Sequence, residues 1–374
     1  MAMKKIKTAV IGSGRISEEY LKNMMSYFNN IEVVACSSAG MESARERAAQ
    51  FGIVARTNEE IFADSSVEMV VILVPAPQHY ELIERALNAG KHVYTEKTMT
   101  VELEEAKRLV KLADEKGLYL GSAPDTFLGA ALQTARKAID SGLIGELISF
   151  SVNINRNIDL MASMFEFLRM PGGGFAGDYG VYYITALVAL LGPVDNLFSV
   201  VKNKALERIN CFEGSPEFGK PYTYENESQI YAVMNMESGV TGTVSMNGDS
   251  AVQDLAYFYI YGSKGVLKLC CANDFGGDIV FVPSGFGPNA EPERVLENES
   301  PLTERNRGVG PSEMADAITH GRPCRGSKEM ALHVLDVIDS MMRSSENKMP
   351  VNVESTCARP ASFTLSDIHA ITCR

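Results

Sequence analysis

The run Ile6-Lys7-Thr8-Ala9-Val10-Ile11 leads directly into Gly12-Ser13-Gly14-Arg15-Ile16-Ser17, and a helix-like segment follows from near Glu18. A strand that stops at a glycine turn and restarts as a helix restricts this chain more than any other feature. Two glycines tighten the turn and leave the helix's amino end, with its unbonded N–H groups, open to an anion. The pattern then repeats. Apolar runs at 32–36, 69–74, 92–94 and 118–120 alternate with helix-like stretches such as 81–87 and 101–116. Short strands alternating with helices specify a parallel sheet covered on both faces.

After Pro124 the texture changes. A helix-like segment over 126–140 precedes longer strand candidates at 147–154, 229–236, 240–246, 256–261 and 265–269, several separated by tight turns at 237–239 and 262–265. Such turns fit antiparallel hairpins. A final helix pattern over 327–345 leads to a short run at 350–353. A length of 374 residues suits two domains. The expected fold is therefore an α/β chain with an N-terminal Rossmann-type dinucleotide-binding domain over 1–123. A C-terminal α+β domain with a large, mostly antiparallel sheet is expected over 124–374.

Composition narrows the function. With 35 basic and 47 acidic side chains the net charge is -12, which opposes attraction to nucleic acid or anionic membrane. The apolar stretch near the amino end is shorter than a signal peptide needs, and no apolar run approaches the ~18 residues of a membrane span. A cytoplasmic protein without nucleic-acid or membrane partners is expected. Seven cysteines with no Cys-x-x-Cys, and five scattered histidines, suggest neither a disulfide framework nor a metal site.

Gly12, Ser13, Gly14, Arg15 and Ile16 are the candidate cofactor-binding residues of the turn; Ser17 stands at the third glycine position. The second apolar run ends at Ser37-Ser38, where an NAD-binding chain usually carries an acid for the ribose 2′-OH. The first acid here is Glu42. Without a carboxylate to repel a 2′-phosphate, and with Ser37, Ser38 and Arg45 as candidate donors, the expectation leans to NADP over NAD.

The stretch Gly90-Lys91-His92-Val93-Tyr94-Thr95-Glu96-Lys97 resembles the Gfo/Idh/MocA family, which includes glucose-fructose oxidoreductase and inositol dehydrogenases. Residues 73–79, 123–129, 172–183 and 261–265 are similar to it in the same order, so the resemblance covers nearly the whole chain. It implies that Glu96 and Lys97 form the motif at the end of the fourth main strand, with Lys97 facing both nicotinamide and substrate. An ammonium there can hydrogen-bond the reacting oxygen and stabilise its negative charge. The resemblance also implies that Asp178 and Tyr182 form the second catalytic motif, tyrosine standing where the family usually has histidine. Their spacing of four puts both on one helix face. A phenol has an ordinary pKa near ~10, and the Lys97 ammonium nearby would favour phenolate and make a base of it.

Further carry-over assigns Val74, Pro75 and His79 to the cofactor's adenosine and nicotinamide ribose region. It assigns Asp125, Phe127 and Arg156 to the substrate side, although Asp125 could instead cap the helix that follows. Thr98 replaces the family's proline after the lysine, so a cis bond there would form without the residue that makes one inexpensive. The implied activity is an NAD(P)-dependent dehydrogenase acting on a sugar, cyclitol or derivative. A glycosidase that retains its nicotinamide and a cofactor-binding regulator without catalysis stay open as alternatives. The resemblance further implies a homodimer or homotetramer paired through the carboxy-terminal sheet.

Overall fold

The computed structural model describes residues 4–253, 255–285 and 291–373. They form two compact units, one drawn from 4–129, 300–332 and 360–373, the other from 130–299 and 333–359.

The first unit begins β1 (Ile6–Ile11), α1 (Arg15–Ser26), β2 (Ile31–Ser37), α2 (Glu42–Phe51), β3 (Val54–Ala55) and α3 (Asn58–Ala63). It continues β4 (Met69–Ile72), α4 (His79–Asn88), β5 (His92–Thr95), α5 (Leu103–Lys116) and β6 (Leu120–Ser122). The six strands pair in the order β3-β2-β1-β4-β5-β6, every pair parallel. This is the doubly wound order whose direction reverses between β1 and β4, leaving a crevice at the strands' carboxyl ends. Burial on both faces explains why β4 reads as an unbroken apolar run: Met69, Val70, Val71 and Ile72 are all 0% exposed. Tyr20, Leu21 and Met24 of α1 and Leu82, Ile83, Ala86 and Leu87 of α4 supply buried helix stripes.

The second unit contains α6 (Ala130–Asp140), β7 (Leu147–Asn155), α7 (Ile158–Met164), α8 (Val181–Leu191), β8 (Val194–Lys202), β9 (Glu207–Ile209) and β10 (Pro221–Thr223). It goes on through β11 (Gln229–Met236), β12 (Thr241–Asn247), β13 (Leu255–Gly262), β14 (Gly265–Leu269), β15 (Ile279–Pro283) and β16 (Arg294–Leu296). After α9 (Val309–His320) and α10 (Lys328–Asn347) come β17 (Val351–Asn352) and α11 (Leu365–Ile371). A nine-stranded sheet runs β16-β15-β14-β13-β7-β12-β11-β8-β17. Only the β7–β12 pair is parallel, so the mostly antiparallel sheet expected from the hairpin turns is present. Alternation is clean along β11, where Ile230, Ala232, Met234 and Met236 are buried while Tyr231 and Val233 face outward.

Three sequence readings change. Residues 126–140 are not one helix, because Gly129 is extended between a 3-10 turn at Thr126–Leu128 and α6. Strand β8 interrupts its apolar pattern with Asp195 and Asn196, and its place beside β11 depends on pairing with residues 229–236. A single boundary after residue 123 also omits the two segments that return to the first unit. Met314, Ala315 and Ala317 of α9 join the same core cluster as Ile6, Val10 and Val71. Buried Glu313 accepts from Arg322 at 2.5 Å and Arg325 at 2.9 Å, and Arg325 reaches Asp367 of α11 at 2.8 Å.

Candidate active site

The glycine turn joins β1 to α1 at the crevice. Gly12 has φ 106°, and its N–H donates to the Ser37 carbonyl at 2.9 Å. A Cβ on Gly12 would lie 2.7 Å from the Leu73 carbonyl carbon and 3.0 Å from Val74 Cγ1. The turn is therefore wedged against the end of β4. Gly14 differs: it has ordinary φ -71°, no side chain caps α1, and nothing lies within 4 Å of where its Cβ would be. An uncapped helix amino end behind an open, exposed glycine is a cradle shaped for a phosphate. The uncapped end of α1 and the open Gly14 fit a dinucleotide pyrophosphate.

Ser13 serves the turn itself, its hydroxyl donating to the Ser37 carbonyl at 3.0 Å. The Ser37 hydroxyl points inward, 2.5 Å from Asn58 Oδ1. Ser38 Oγ accepts from Ala44 N–H at 3.2 Å and from Ser43 Oγ at 2.9 Å. Arg45 is exposed on α2, and the guanidinium that reaches the turn belongs to Arg47. It lies 3.5 Å from the Gly14 carbonyl and bonds Glu18 at 3.0 Å and Gln50 at 2.7 Å. Helical phase decides between the two arginines, since residues two apart face different directions.

Glu96 and Lys97 follow the carboxyl end of β5, both half-buried. Glu96 anchors the segment: Oε1 accepts the Tyr20 hydroxyl at 2.7 Å and Oε2 accepts the Lys97 N–H at 3.2 Å. The Lys97–Thr98 peptide is cis, as is Ala123–Pro124. His79, expected beside the ribose, is 0% exposed. Its Nδ1 lies 2.7 Å from the Thr98 carbonyl and its Nε2 2.8 Å from the Val74 carbonyl. Burial pushes the His79 pKa down against the opposing pull of those carbonyls.

Asp125, expected at the substrate edge, is 1% exposed and wholly occupied. It pairs with Arg307 at 3.2 Å and accepts the Gly308 and Gly310 N–H groups at 3.0 and 3.2 Å. It thus caps α9 instead of the 3-10 turn that follows it, and burial pushes its carboxyl up despite Arg307. Phe127 is likewise buried, at 3%.

In the second unit Asp178 lies in a π-helical turn, Ala176–Gly180, that runs into α8 carrying Tyr182. Such turns mark functional positions in many helices, and no sequence period announces one. The wider turn keeps residues four apart on a shared face. Half-buried Glu227 sits at the amino end of this turn, accepting the Ala176 N–H at 2.9 Å; its carboxylate occupies the space a side chain on Gly174 would need. Burial raises the Glu227 pKa.

The three tyrosines separate by environment. Tyr183 is 1% exposed, packs 6.0 Å from Phe258, and has its pKa pushed far up by burial. Tyr179 is the hinge of the cluster: Arg156 stacks 4.0 Å from its ring centre, and Tyr182 lies 6.2 Å away. Arg156, Asp178 and Tyr182 are thereby gathered in one region of this unit. Among the described residues no group of three or more His, Cys, Asp or Glu is disposed to hold a metal, and no helix is long and apolar enough to cross a membrane.

A doubly wound parallel sheet with an open glycine cradle, followed by a mixed sheet carrying an Asp/Tyr helix, defines a nucleotide-dependent oxidoreductase class. Residues 6–123 match the model described as oxidoreductase family, NAD-binding Rossmann fold, and 132–268 match the Gfo/Idh/MocA C-terminal domain. The chain belongs to the Gfo/Idh/MocA oxidoreductase family. An uncharacterised oxidoreductase of Rhizobium meliloti is 32% identical over 356 residues, covering 91% of this chain and 97% of the relative. The scyllo-inositol 2-dehydrogenase (NADP(+)) of Bacillus subtilis is 22% identical, covering 93% and 96%. Against two Schizosaccharomyces pombe oxidoreductases the chain spans about half of their length, 59% and 53%. Levoglucosan dehydrogenase in complex with NADH superposes with TM-score 0.80 at 17% identity over 94% of this chain and 100% of that one, a likeness of fold.

Proposed function

We propose that this protein is an NAD(P)-dependent dehydrogenase that moves a hydride between nicotinamide and a hydroxyl or carbonyl carbon of a sugar, cyclitol or sugar derivative. The observation that carries the reading is the Lys97 segment: a lysine just past the end of β5, anchored by Glu96, in a sheet whose crevice also bears the open Gly14 cradle. When bound, the nicotinamide supplies the hydride acceptor or donor. Lys97 hydrogen-bonds the reacting oxygen and offsets its negative charge. Tyr182 takes the hydroxyl proton. Asp178 accepts from a neighbouring substrate hydroxyl, and Arg156 lines the substrate side.

Relatives named for NADP(+) and for NADH bracket the cofactor. The absence of an acid from the end of β2 up to Glu42 favours NADP. The cytoplasm is the assigned compartment, and a homodimer or homotetramer the assigned assembly. On the outward face of the second sheet Phe198 pairs with Val233, and Val200 with Tyr231, all four exposed by 40% or more. Such a patch suits a self-complementary interface. A monomeric mass at micromolar concentration in sedimentation would contradict that assignment.

Anaerobic titration with NADP and NAD, followed by a panel of sugars and cyclitols monitored at the reduced-nicotinamide band, tests the activity. Lys97→Ala and Tyr182→Phe should each lower kcat by about 10²–10⁴-fold while cofactor affinity is retained. Tight cofactor binding with no absorbance change across the panel, or undiminished turnover in Lys97→Ala, would sink the proposal.

A further inference from the structure

Two side chains outside the proposed catalytic set grip the backbone on either side of Lys97. On the amino side is Tyr20 of α1, 0% exposed, whose hydroxyl reaches 76 residues along the chain to Glu96 Oε1 at 2.7 Å. The same carboxylate holds the Lys97 N–H through Oε2 at 3.2 Å, and Ser122 Oγ donates to the Glu96 carbonyl at 3.3 Å. On the carboxyl side is His79, the first residue of α4. Its ring bridges the Thr98 carbonyl at 2.7 Å and the Val74 carbonyl at 2.8 Å, tying the segment after β5 to the segment after β4. Thr98 Oγ1 donates onward to the Thr100 carbonyl at 2.7 Å.

Tyr20 and His79 are both fully buried, and burying a hydroxyl and an imidazole is unfavourable unless their polar atoms are satisfied. Tyr20 satisfies its hydroxyl on Glu96, while His79 satisfies one ring nitrogen on the Thr98 carbonyl and the other on the Val74 carbonyl. A neutral imidazole has one N–H to share between the two carbonyls, and burial lowers the His79 pKa against the pull of both carbonyls and of Glu96, with Lys97 lowering it further.

We infer that Tyr20 and His79 are positioning residues for Lys97: acting through Glu96 and the Thr98 carbonyl, they fix the backbone of 96–98 and thereby where the ammonium can reach. The inference rests on the assignment of Lys97 to the reacting oxygen. Misplacing a catalytic group by about 1 Å costs on the order of 10²-fold in rate, so loosening either grip should lower kcat by about 10- to 100-fold.

The test uses Tyr20→Phe, His79→Ala, Lys97→Ala and the double variants in Lys97→Ala. Steady-state kcat and KM and the fluorescence-measured Kd for NADPH or NADH are read for each. Tyr20→Phe should lower kcat with cofactor Kd within about twofold, His79→Ala should lower kcat, and neither should have a further effect on kcat once Lys97 is alanine, the non-additivity expected of groups acting through one residue. A second readout needs no cofactor: lysines are reductively methylated with ¹³C, and the Lys97 resonance is identified by its absence in Lys97→Arg. That resonance should move in Tyr20→Phe while the other lysine signals stay.

An unchanged Lys97 signal, or effects of Tyr20→Phe that persist undiminished in the Lys97→Ala background, would overturn the inference. If Lys97→Ala itself turns over like wild type, the catalytic assignment of Lys97 fails instead, and the resonance alone decides whether Tyr20 fixes the side chain. Should His79→Ala not fold, Tyr20→Phe carries the test, since it removes one oxygen and keeps the ring's packing.

Discussion

Replacing each glycine of the first turn by alanine separates folding from cofactor binding. Gly12 has φ 106°, where an added Cβ is strained whatever the space, at a cost of about 1–3 kcal/mol. The Cβ would also meet the Leu73 carbonyl carbon at 2.7 Å and oxygen at 2.8 Å. Both are backbone atoms of a buried strand end, so overpacking adds about 1–3 kcal/mol. Gly12→Ala should therefore lose about 4 kcal/mol, which for a unit of this size lowers Tm by about 8–16 °C. Gly14→Ala meets nothing within 4 Å and keeps an ordinary φ of -71°, so its folding cost should stay below about 1 kcal/mol. Its methyl group enters the cradle assigned to the pyrophosphate and should weaken cofactor at least about 10-fold. Thermal unfolding with and without cofactor reads both effects. At a concentration 100 times the wild-type Kd, wild type should gain about 2.7 kcal/mol and Gly14→Ala no more than about 1.4 kcal/mol. If Gly14→Ala bound NADP and NAD within twofold of wild type, the reasoning that the α1 amino end holds the pyrophosphate would be refuted.

Three further outcomes are expected. Glu313→Gln removes the buried carboxylate from Arg325, whose side chain is 8% exposed and keeps Asp367, and should cost about 1–3 kcal/mol; a urea midpoint like that of wild type would contradict the role of this pair in holding α9. Glu227 has a raised folded-state pKa, so the native state binds its proton more tightly than the unfolded chain. Its contribution is fully present below the ordinary carboxylate pKa and is lost as pH rises through the folded value. The stability of Glu227→Gln relative to wild type should thus rise with pH from the ordinary pKa of about 4 through the raised value, and a flat difference would refute the assignment. Among the thiols, Cys211 and Cys373 are exposed, whereas burial lifts Cys270 and Cys324 to about 12. A colorimetric thiol reagent should label Cys211 and Cys373 rapidly in the native protein and Cys270 and Cys324 only after denaturation.

The parallel sheet was legible because its signals are local. Apolar runs of strand length, helical stripes and the Gly12–Gly14 turn each lie within a few residues, and burial on both faces writes itself into sequence as uninterrupted hydrophobicity. The antiparallel hairpins were legible for the same reason, their turns at 237–239 and 262–265 being short-range chemistry. The Asp178 and Tyr182 pair came from the family resemblance, and the chain carries both on one continuous helical stretch.

What the sequence left undecided depended on partners far along the chain. Asp125 reads as a substrate contact or a local cap until Arg307, 182 residues away, arrives with the amino end of α9. His79 reads as a ligand until the Thr98 and Val74 carbonyls close on both nitrogens, and Arg45 and Arg47 are indistinguishable until α2 is set against the glycine turn. The return of 300–332 and 360–373 to the first unit follows from buried apolar and ionic contacts that no local period encodes. Sequence alone determined the parallel sheet, the antiparallel hairpins and the glycine turn at the start of α1, since backbone geometry and burial patterns are short-range. Tertiary structure decided which polar side chains are left for chemistry, because a buried polar group must find its partner wherever the fold brings one.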